Sequence, residues 1–369
     1  MASKPRVLVV FGGDSPEHEI SCVTAAGVAS AIDPGRYDTC WVGIARGGAW
    51  VSVDEDTVRS YRIAPGLLPA VDPGLPSALL VRRPGGVEVA QLDGERLTGA
   101  VPVDIALILL HGPYGEDGTI QGLFEMHGLP YVGAGVFSSA ACQDKIAMNL
   151  ILAAAGLPVG PYIGISDADW RWDRQAVLAK AAALVYPLFV KPARGGSSIG
   201  ISRVEAQADL AAAIETARRH DPNVIVEQGF TDMREVECGV LVDRREAAPA
   251  VSALGEIRVN KVDKFYDFEA KYLAEEQVDL VIPAPLEPDL AREAVRLAAA
   301  ACQALGVEGL ARVDTFVTAA GVYINEVNTM PGFTPRSLFP RVWAASGLAY
   351  TDLVTRLIEE ALARPQGLR

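Results

Sequence analysis

An α/β fold of more than one domain is what this chain predicts, and three observations carry the prediction. The first third alternates apolar strand-like runs with helix-like stretches. A Gly/Ser-rich loop follows directly on an apolar strand that ends at Lys191. Near the C-terminal end, two β-branched runs flank a short turn and carry acidic residues at strand spacing. A length of 369 residues allows two or three domains with ample core. The balance is acidic, with a formal net charge of −13 and no basic stripe, which argues against nucleic acid as a partner. Cys22, Cys40, Cys142, Cys238 and Cys302 are far apart and form no C-x-x-C, as expected of reduced, buried thiols in a cytoplasmic protein. The first residues run into a strand without the apolar core of a signal peptide. One uncharged stretch, residues 146–166, is long enough to span a bilayer. Gly156, Pro158, Gly160 and Pro161 break it into a helix, a turn and a strand, so no membrane partner is expected.

The elements follow in order. Residues 6–11 predict a buried strand, Gly12-Gly13 a turn, and Ser15-Pro16 an N-cap and first helical position. Residues 38–45 and 104–110 predict further strands, apolar throughout as in a parallel sheet covered on both faces. Residues 50–97, rich in Pro and Gly, read as an insertion with its own small hairpin. A Gly-rich passage, 128–135, leads into a helix over 143–155, and the first domain boundary is placed near there. The middle third predicts a strand at 187–191, a loop, a strand at 199–204, a helix at 206–220 closed by Asp221-Pro222, and a strand at 224–227. Strands at 235–242 and 251–259 follow, then an amphipathic helix at 289–305 stopped by Gly306. Between them, residues 260–276 read as a long functional loop. Runs 310–317 and 322–327 form a hairpin about Ala319-Ala320-Gly321.

Chemistry concentrates in a few places. Glu326 and Asn328 are two apart and therefore share a strand face. If the neighbouring strand sets Asp314 beside them, two carboxylates and an amide oxygen converge, a hard donor set suited to Mg²⁺ together with a substrate's phosphates. Arg312 stands next to these acids. Lys191 opens a loop with Gly195, Gly196, Ser197, Ser198 and Gly200, in which backbone N–H groups can approach a polyphosphate. The loop is not a Walker A sequence, and no such sequence occurs in the chain. With Lys145, at the start of a helix, and Lys271, in the aromatic loop, these residues make one coherent ATP site. Gly196 to Gly200 also fits G-x-S-x-G, but Pro192 to Gly195 separate it from the strand and a strand-like run follows, which argues against a hydrolase elbow. Glu17 falls in a first helical turn, and His111 in a Gly-punctuated loop at the carboxyl end of a strand, where α/β sheets bind ligands. His18, His127 and His220 carry no expected catalytic role.

The motifs together resemble the D-alanine–D-alanine ligases of the ATP-grasp superfamily. They are Gly12-Gly13 with Ser15, Glu17, His18, Glu19 and Ser21; His111-Gly112 with Gly115-Glu116-Asp117-Gly118; and Lys191-Pro192 with Gly196-Ser197-Ser198 and Gly200. Tyr266-Asp267 with Glu269-Ala270-Lys271-Tyr272, and Asn325-Glu326 with Asn328-Thr329 and Pro331-Gly332, complete the set in family order across nearly the whole chain. The resemblance implies an ATP-grasp fold: an N-terminal parallel-sheet domain (1–141), then central (142–229) and C-terminal (230–369) α+β domains clasping ATP.

It also implies roles. Asp314, Glu326 and Asn328 would hold two Mg²⁺ (or Mn²⁺) ions, and Lys145, Lys191 and Lys271, with Ser197 and Ser198 of the loop, would contact the nucleotide. Glu227 and Glu235 would bind adenine and ribose, and Arg312 with the N–H of Gly332 an oxyanion. Glu17 and His111 would hold the first D-alanine, Ser337 and Leu338 the second. Glu17, Ser197 and Tyr272 would form a hydrogen-bonded trio that orients the aromatic loop as a lid, and Tyr272 favours an amine over D-lactate as nucleophile. The implied product is D-alanyl-D-alanine for peptidoglycan precursors, and a homodimer is usual in the family. Phe268 and Arg194-Gly195 depart from the common pattern without touching a residue given a role.

Overall fold

The computed structural model describes residues 4–64, 66, 68–93, 96–196, 198–259 and 278–365. The segment read as a functional loop, with Lys271 and Tyr272, lies outside the described residues, as does Ser197.

The first sheet contains β1 (Arg6–Gly12), β2 (Asp38–Ile44), β3 (Trp50–Ser52) and, after an insertion built of β4 (Ala78–Arg83), β5 (Gly86–Asp93) and β6 (Arg96–Val103), β7 (Ile105–Ile108). Its order is β3-β2-β1-β7, with β1 parallel to both neighbours and β3 antiparallel to β2. Val7 to Phe11 are wholly buried because this central strand is covered on both faces, which is why its sequence is apolar without alternation. The insertion is a three-stranded antiparallel sheet reaching residue 103, where the sequence suggested a small hairpin, and Trp50–Ser52 joins the main sheet instead. The first helix, His18–Ala31, starts two residues later than Ser15-Pro16 implied. Ser15 Oγ accepts from the N–H of Glu17 at 3.2 Å, so Ser15 closes a turn ahead of the helix and Glu17 takes the N-cap position. A helix at Val136–Gln143, absent from the sequence reading, precedes Lys145–Ala154. Asp144 divides them, its carboxylate accepting from the N–H groups of Ile146 and Ala147 as an N-cap does.

The second sheet is antiparallel, ordered β10-β9-β11-β8 from β8 (Tyr162–Ile165), β9 (Leu188–Pro192), β10 (Ser202–Val204) and β11 (Val224–Gln228). The strand expected from residue 199 begins only at Ser202, because residues 198–200 turn: Ser198 has φ +59° and Gly200 +74°. The helix Gln207–Arg218 covers this sheet through Leu210, Ala213, Ile214 and Ala217.

The third sheet runs β15-β14-β12-β16-β17, from β12 (Arg234–Val242), β13 (Ala250–Val251), β14 (Gly255–Val259), β15 (Val278–Val281), β16 (Gly309–Thr318) and β17 (Gly321–Asn328); β13 pairs with β12. The single strand expected at 251–259 is thus two. The helix Pro288–Ala304 packs Ala294, Leu297, Ala298, Ala301 and Cys302 onto this sheet. At Gly239 a Cβ would lie 2.4 Å from Trp343 Nε1, so only glycine lets the helix Leu338–Ala345 approach β12. The last helix, Tyr350–Ala363, returns to the first sheet: Leu353, Val354, Leu357 and Ile358 share a core with Val7, Val9 and Phe11. Arg364, just beyond it, donates from Nη1 to the Gly133 carbonyl at 2.9 Å. Among the described residues no helix is long and apolar enough to cross a membrane.

Candidate active site

Cross-strand register builds the centre of the site. Glu237 on β12 pairs with Asp314 on β16, which pairs with Glu326 on β17; Gly239, Arg312 and Asn328 form the next row. Residues two apart share a face, so all the charged members of both rows project from one side of the sheet. Beyond Asp314 a bulge leaves Asn325 without a ladder partner, and Phe316 then pairs with Tyr323. Phe230 packs on both rings, with centroids 5.6 and 4.8 Å away. One end of the patch is therefore ionic and the other aromatic.

Arg312 grips Asp314 with Nε and Nη2, each donating at 2.7 Å, while Nε also lies 2.7 Å from Glu237 Oε2. Burial opposes the guanidinium charge, but Asp314 and Glu237 outweigh it and hold the Arg312 pKa well above its ordinary value. Asn328 Nδ2 donates to Asp314 Oδ2 at 3.1 Å. Lys145 Nζ lies 3.0 Å from Glu326 Oε1 and donates to the Gly195 carbonyl at 2.9 Å, joining the carboxylate row to the glycine loop. Lys191 Nζ lies 2.6 Å from Glu227 Oε2. Burial works against its charge, yet the Glu227 carboxylate prevails and raises its pKa.

Most of these side chains, though not Arg312 or Asn328, line a cavity of about 570 Å³ between the second and third sheets. It takes in Lys145, Lys191, Ser198, Glu227, Glu235, Asp314 and Glu326, with Phe189, Phe230, Met233, Phe316 and Ile324 as apolar walls. Anionic and planar apolar parts of one ligand are both provided for, as a nucleotide requires. Asp314, Glu326 and Asn328 supply adjacent hard oxygen donors. Among the described residues no group of three or more His, Cys, Asp or Glu is arranged to hold a metal by itself. Two carboxylates and an amide fit Mg²⁺, which completes its octahedron from phosphate and water oxygens.

A second group of predicted residues stands outside that cavity. A Cβ placed on Gly196 would lie 3.7 Å from Glu17 Oε2, and one on Gly112 3.6 Å from it, so the glycine loop and the His111 loop both approach Glu17. His111 is buried, its Nδ1 3.2 Å from the Met330 carbonyl and 3.6 Å from Glu116 Oε1. Burial disfavours the imidazolium, but Glu116 and the charge of Glu17 overcome it and raise the pKa above the ordinary value. Gly332 faces Ser337: a Cβ on it would lie 3.2 Å from Ser337 Oγ. Ser337 takes the N-cap position of the helix Leu338–Ala345, and its Oγ accepts from the Thr334 N–H at 3.1 Å. Leu338 is buried against Ile257 and Val342. Sequence reasoning quoted Glu116 within a motif without giving it a role, and missed Glu237 and the buried Asn149, which line the cavity. Glu237 had a signal, since it follows Glu235 at strand spacing on an apolar strand.

Two antiparallel sheets holding a lysine- and carboxylate-lined cavity, preceded by a parallel-sheet domain, constitute an ATP-grasp architecture. Family models described as D-ala D-ala ligase N-terminus and D-ala D-ala ligase C-terminus match residues 6–134 and 151–359. A D-alanine–D-alanine ligase of Kineococcus radiotolerans is 51% identical, covering 99% of both chains. One from an Arthrobacter species is 49% identical over 100% of this chain and 96% of its own. Among solved structures, the VanG D-Ala:D-Ser ligase of Enterococcus faecalis superposes with a TM-score of 0.81 at 31% identity, covering 97% of this chain and all of that one. The D-alanine-D-alanine ligase of Coxiella burnetii gives 0.79 at 30%, covering 98% and 94%. The chain belongs to the D-alanine–D-alanine ligase family.

Proposed function

We propose that the protein joins two D-alanine molecules into D-alanyl-D-alanine, consuming ATP, as a step towards peptidoglycan precursors in the cytoplasm. The observation that carries this reading is the ionic patch of Arg312, Asp314, Glu326 and Lys145 opening into a cavity of nucleotide size, in a chain of this family. The carboxylate of the first D-alanine attacks the γ-phosphate, giving an acyl phosphate and ADP. The amine of the second D-alanine then attacks the acyl carbon, and phosphate leaves. Two anions must meet in the first step, so positioning and charge neutralisation supply most of the rate.

Lys145 and Lys191, paired here with Glu326 and Glu227, would contact the phosphates when ATP binds, and Glu227 and Glu235 would take the adenosine. Asp314, Glu326 and Asn328 would hold Mg²⁺ or Mn²⁺, two ions in all, which would supply charge neutralisation for the phosphates. Glu17 binds the ammonium of the first D-alanine, and His111 sits near its carboxylate. Arg312 and the Gly332 N–H stabilise the tetrahedral oxyanion, while Ser337 and Leu338 hold the second D-alanine. Of the residues outside the described ones, Ser197 and Tyr272 would complete the trio with Glu17 and Lys271 would contact the nucleotide; the domains divide at 141 and 229, and the protein acts as a homodimer.

Phosphate release from ATP and Mg²⁺ with a panel of D- and L-amino acids and D-lactate, with mass analysis of products, tests the reading. Release that depends on D-alanine and yields D-alanyl-D-alanine is expected. Release only with D-serine or D-lactate as second substrate would keep the chemistry and overturn the acceptor. Tyr272→Phe is expected to gain D-lactate use at lower pH, where the competing amine is protonated.

A further inference from the structure

Glu237 has no part in the reading above, yet it is a carboxylate only 7% exposed in the middle of the site. It stands in register with Asp314, which stands in register with Glu326, so three carboxylates form one row across three strands. Arg312 contacts Glu237 and Asp314 in this row, and Lys145 contacts Glu326. Desolvating a carboxylate is costly unless a cation engages it closely. Glu237 has such a cation: its Oε2 lies 2.7 Å from Arg312 Nε, on a guanidinium that also spans both oxygens of Asp314.

The two anchors of Arg312 are not equivalent. If the ligase reading holds, on which this inference rests, Asp314 must offer its oxygens to the divalent cation of the nucleotide, and each oxygen so used holds the guanidinium less firmly. Glu237 belongs to the next strand and keeps its hold on Nε. We propose that Glu237 is a positioning residue for Arg312: it fixes the guanidinium at the reacting carbon while Asp314 serves the cation. Glu237 also lines the cavity, but in this scheme it acts through Arg312 and not as a ligand of the nucleotide or its metal ion.

The test separates this from a ligand role and from a merely structural one. Glu237→Gln keeps the shape and removes the charge. Its kcat for D-alanine-dependent phosphate release is expected to fall about tenfold or more, since a displaced oxyanion donor loses much of its effect. The Kd for Mg²⁺-ADP by calorimetry and the KM for ATP should stay within about twofold. Combined with Arg312→Lys, Glu237→Gln should add little further loss, and Glu237→Asp should recover part of the rate. An unchanged kcat overturns the proposal. So does a Kd that weakens in step with kcat, which would make Glu237 a ligand, or losses that multiply in the double variant. Should Glu237→Gln not fold, Glu237→Asp carries the same comparison of kcat with Kd. Wild-type enzyme without D-alanine-dependent turnover would sink the ligase reading itself, a result read before any variant is made.

Discussion

Arg312 and Asp314, two residues apart on one strand, are joined fork to fork, with Nε and Nη2 each donating to a different carboxylate oxygen at 2.7 Å. This geometry belongs to arginine alone, because an ammonium is a point donor that cannot span both oxygens. Arg312→Lys keeps the charge and loses the fork. Its kcat should fall about a hundredfold, as for loss of one oxyanion-hole donor, with the KM for ATP little changed. Steady-state kinetics with ATP and D-alanine varied in turn would show the split; an equal rise in KM would place Arg312 on the ground-state nucleotide.

Glu326 faces Lys145 across the cavity and Asp314 across the ladder. Glu326→Ala should abolish ATP turnover by removing a carboxylate from the cation site. Chelation of divalent ions should do the same to the wild type, with recovery on adding Mg²⁺ or Mn²⁺ and none for the variant. Turnover that survives both treatments would remove the carboxylates from the assigned role.

His111 carries the pH dependence. Its pKa lies above the ordinary 6.5, because Glu116 and Glu17 outweigh burial. The imidazolium therefore stabilises the fold fully below pH 6.5, and that contribution is lost as pH rises through the raised value. NMR titration of the imidazole should give a midpoint above 6.5, moving downward in Glu116→Gln. No movement would mean that Glu116 does not hold the proton there.

Arg364 ties the end of the last helix to two other parts of the molecule. It reaches the Gly133 carbonyl at 2.9 Å, Glu308 at 3.5 Å and Glu360 Oε1 at 2.9 Å, with a side chain only 2% exposed. Arg364→Ala leaves the buried Glu360 carboxylate without its guanidinium, while Glu308 keeps Arg244, and should cost about 3–5 kcal/mol in denaturant unfolding. A change below about 1 kcal/mol would show that the helix end relaxes into water.

What could be read from the sequence follows from how local each signal is. The buried run at β1, the helix ending before Asp221-Pro222 and the hairpin that sets Asp314 against Glu326 depend on neighbours in the chain, and each was visible. The Glu237–Asp314 pairing joins strands distant in sequence, so the row of three carboxylates was not visible. The late start of β10 rests on left-handed backbone at Ser198 and Gly200, where the apolar pattern alone suggested strand. The return of the final helix to the first core likewise has no local signature, since an amphipathic helix does not specify the surface it covers.

The cysteines have a practical consequence for studying motion in this enzyme. Burial pushes the Cys22 thiol up to about 12 and the Cys40 thiol to about 11, and raises Cys142, Cys238 and Cys302 as well. Only a thiolate attacks an electrophile, so at neutral pH all five should ignore maleimide dyes. One cysteine introduced on the surface, for example at the 84% exposed Trp172, would then carry a fluorophore alone. Paired with a labelled nucleotide, it would report opening and closing of the ATP cleft in the otherwise native chain, with no prior removal of its own thiols.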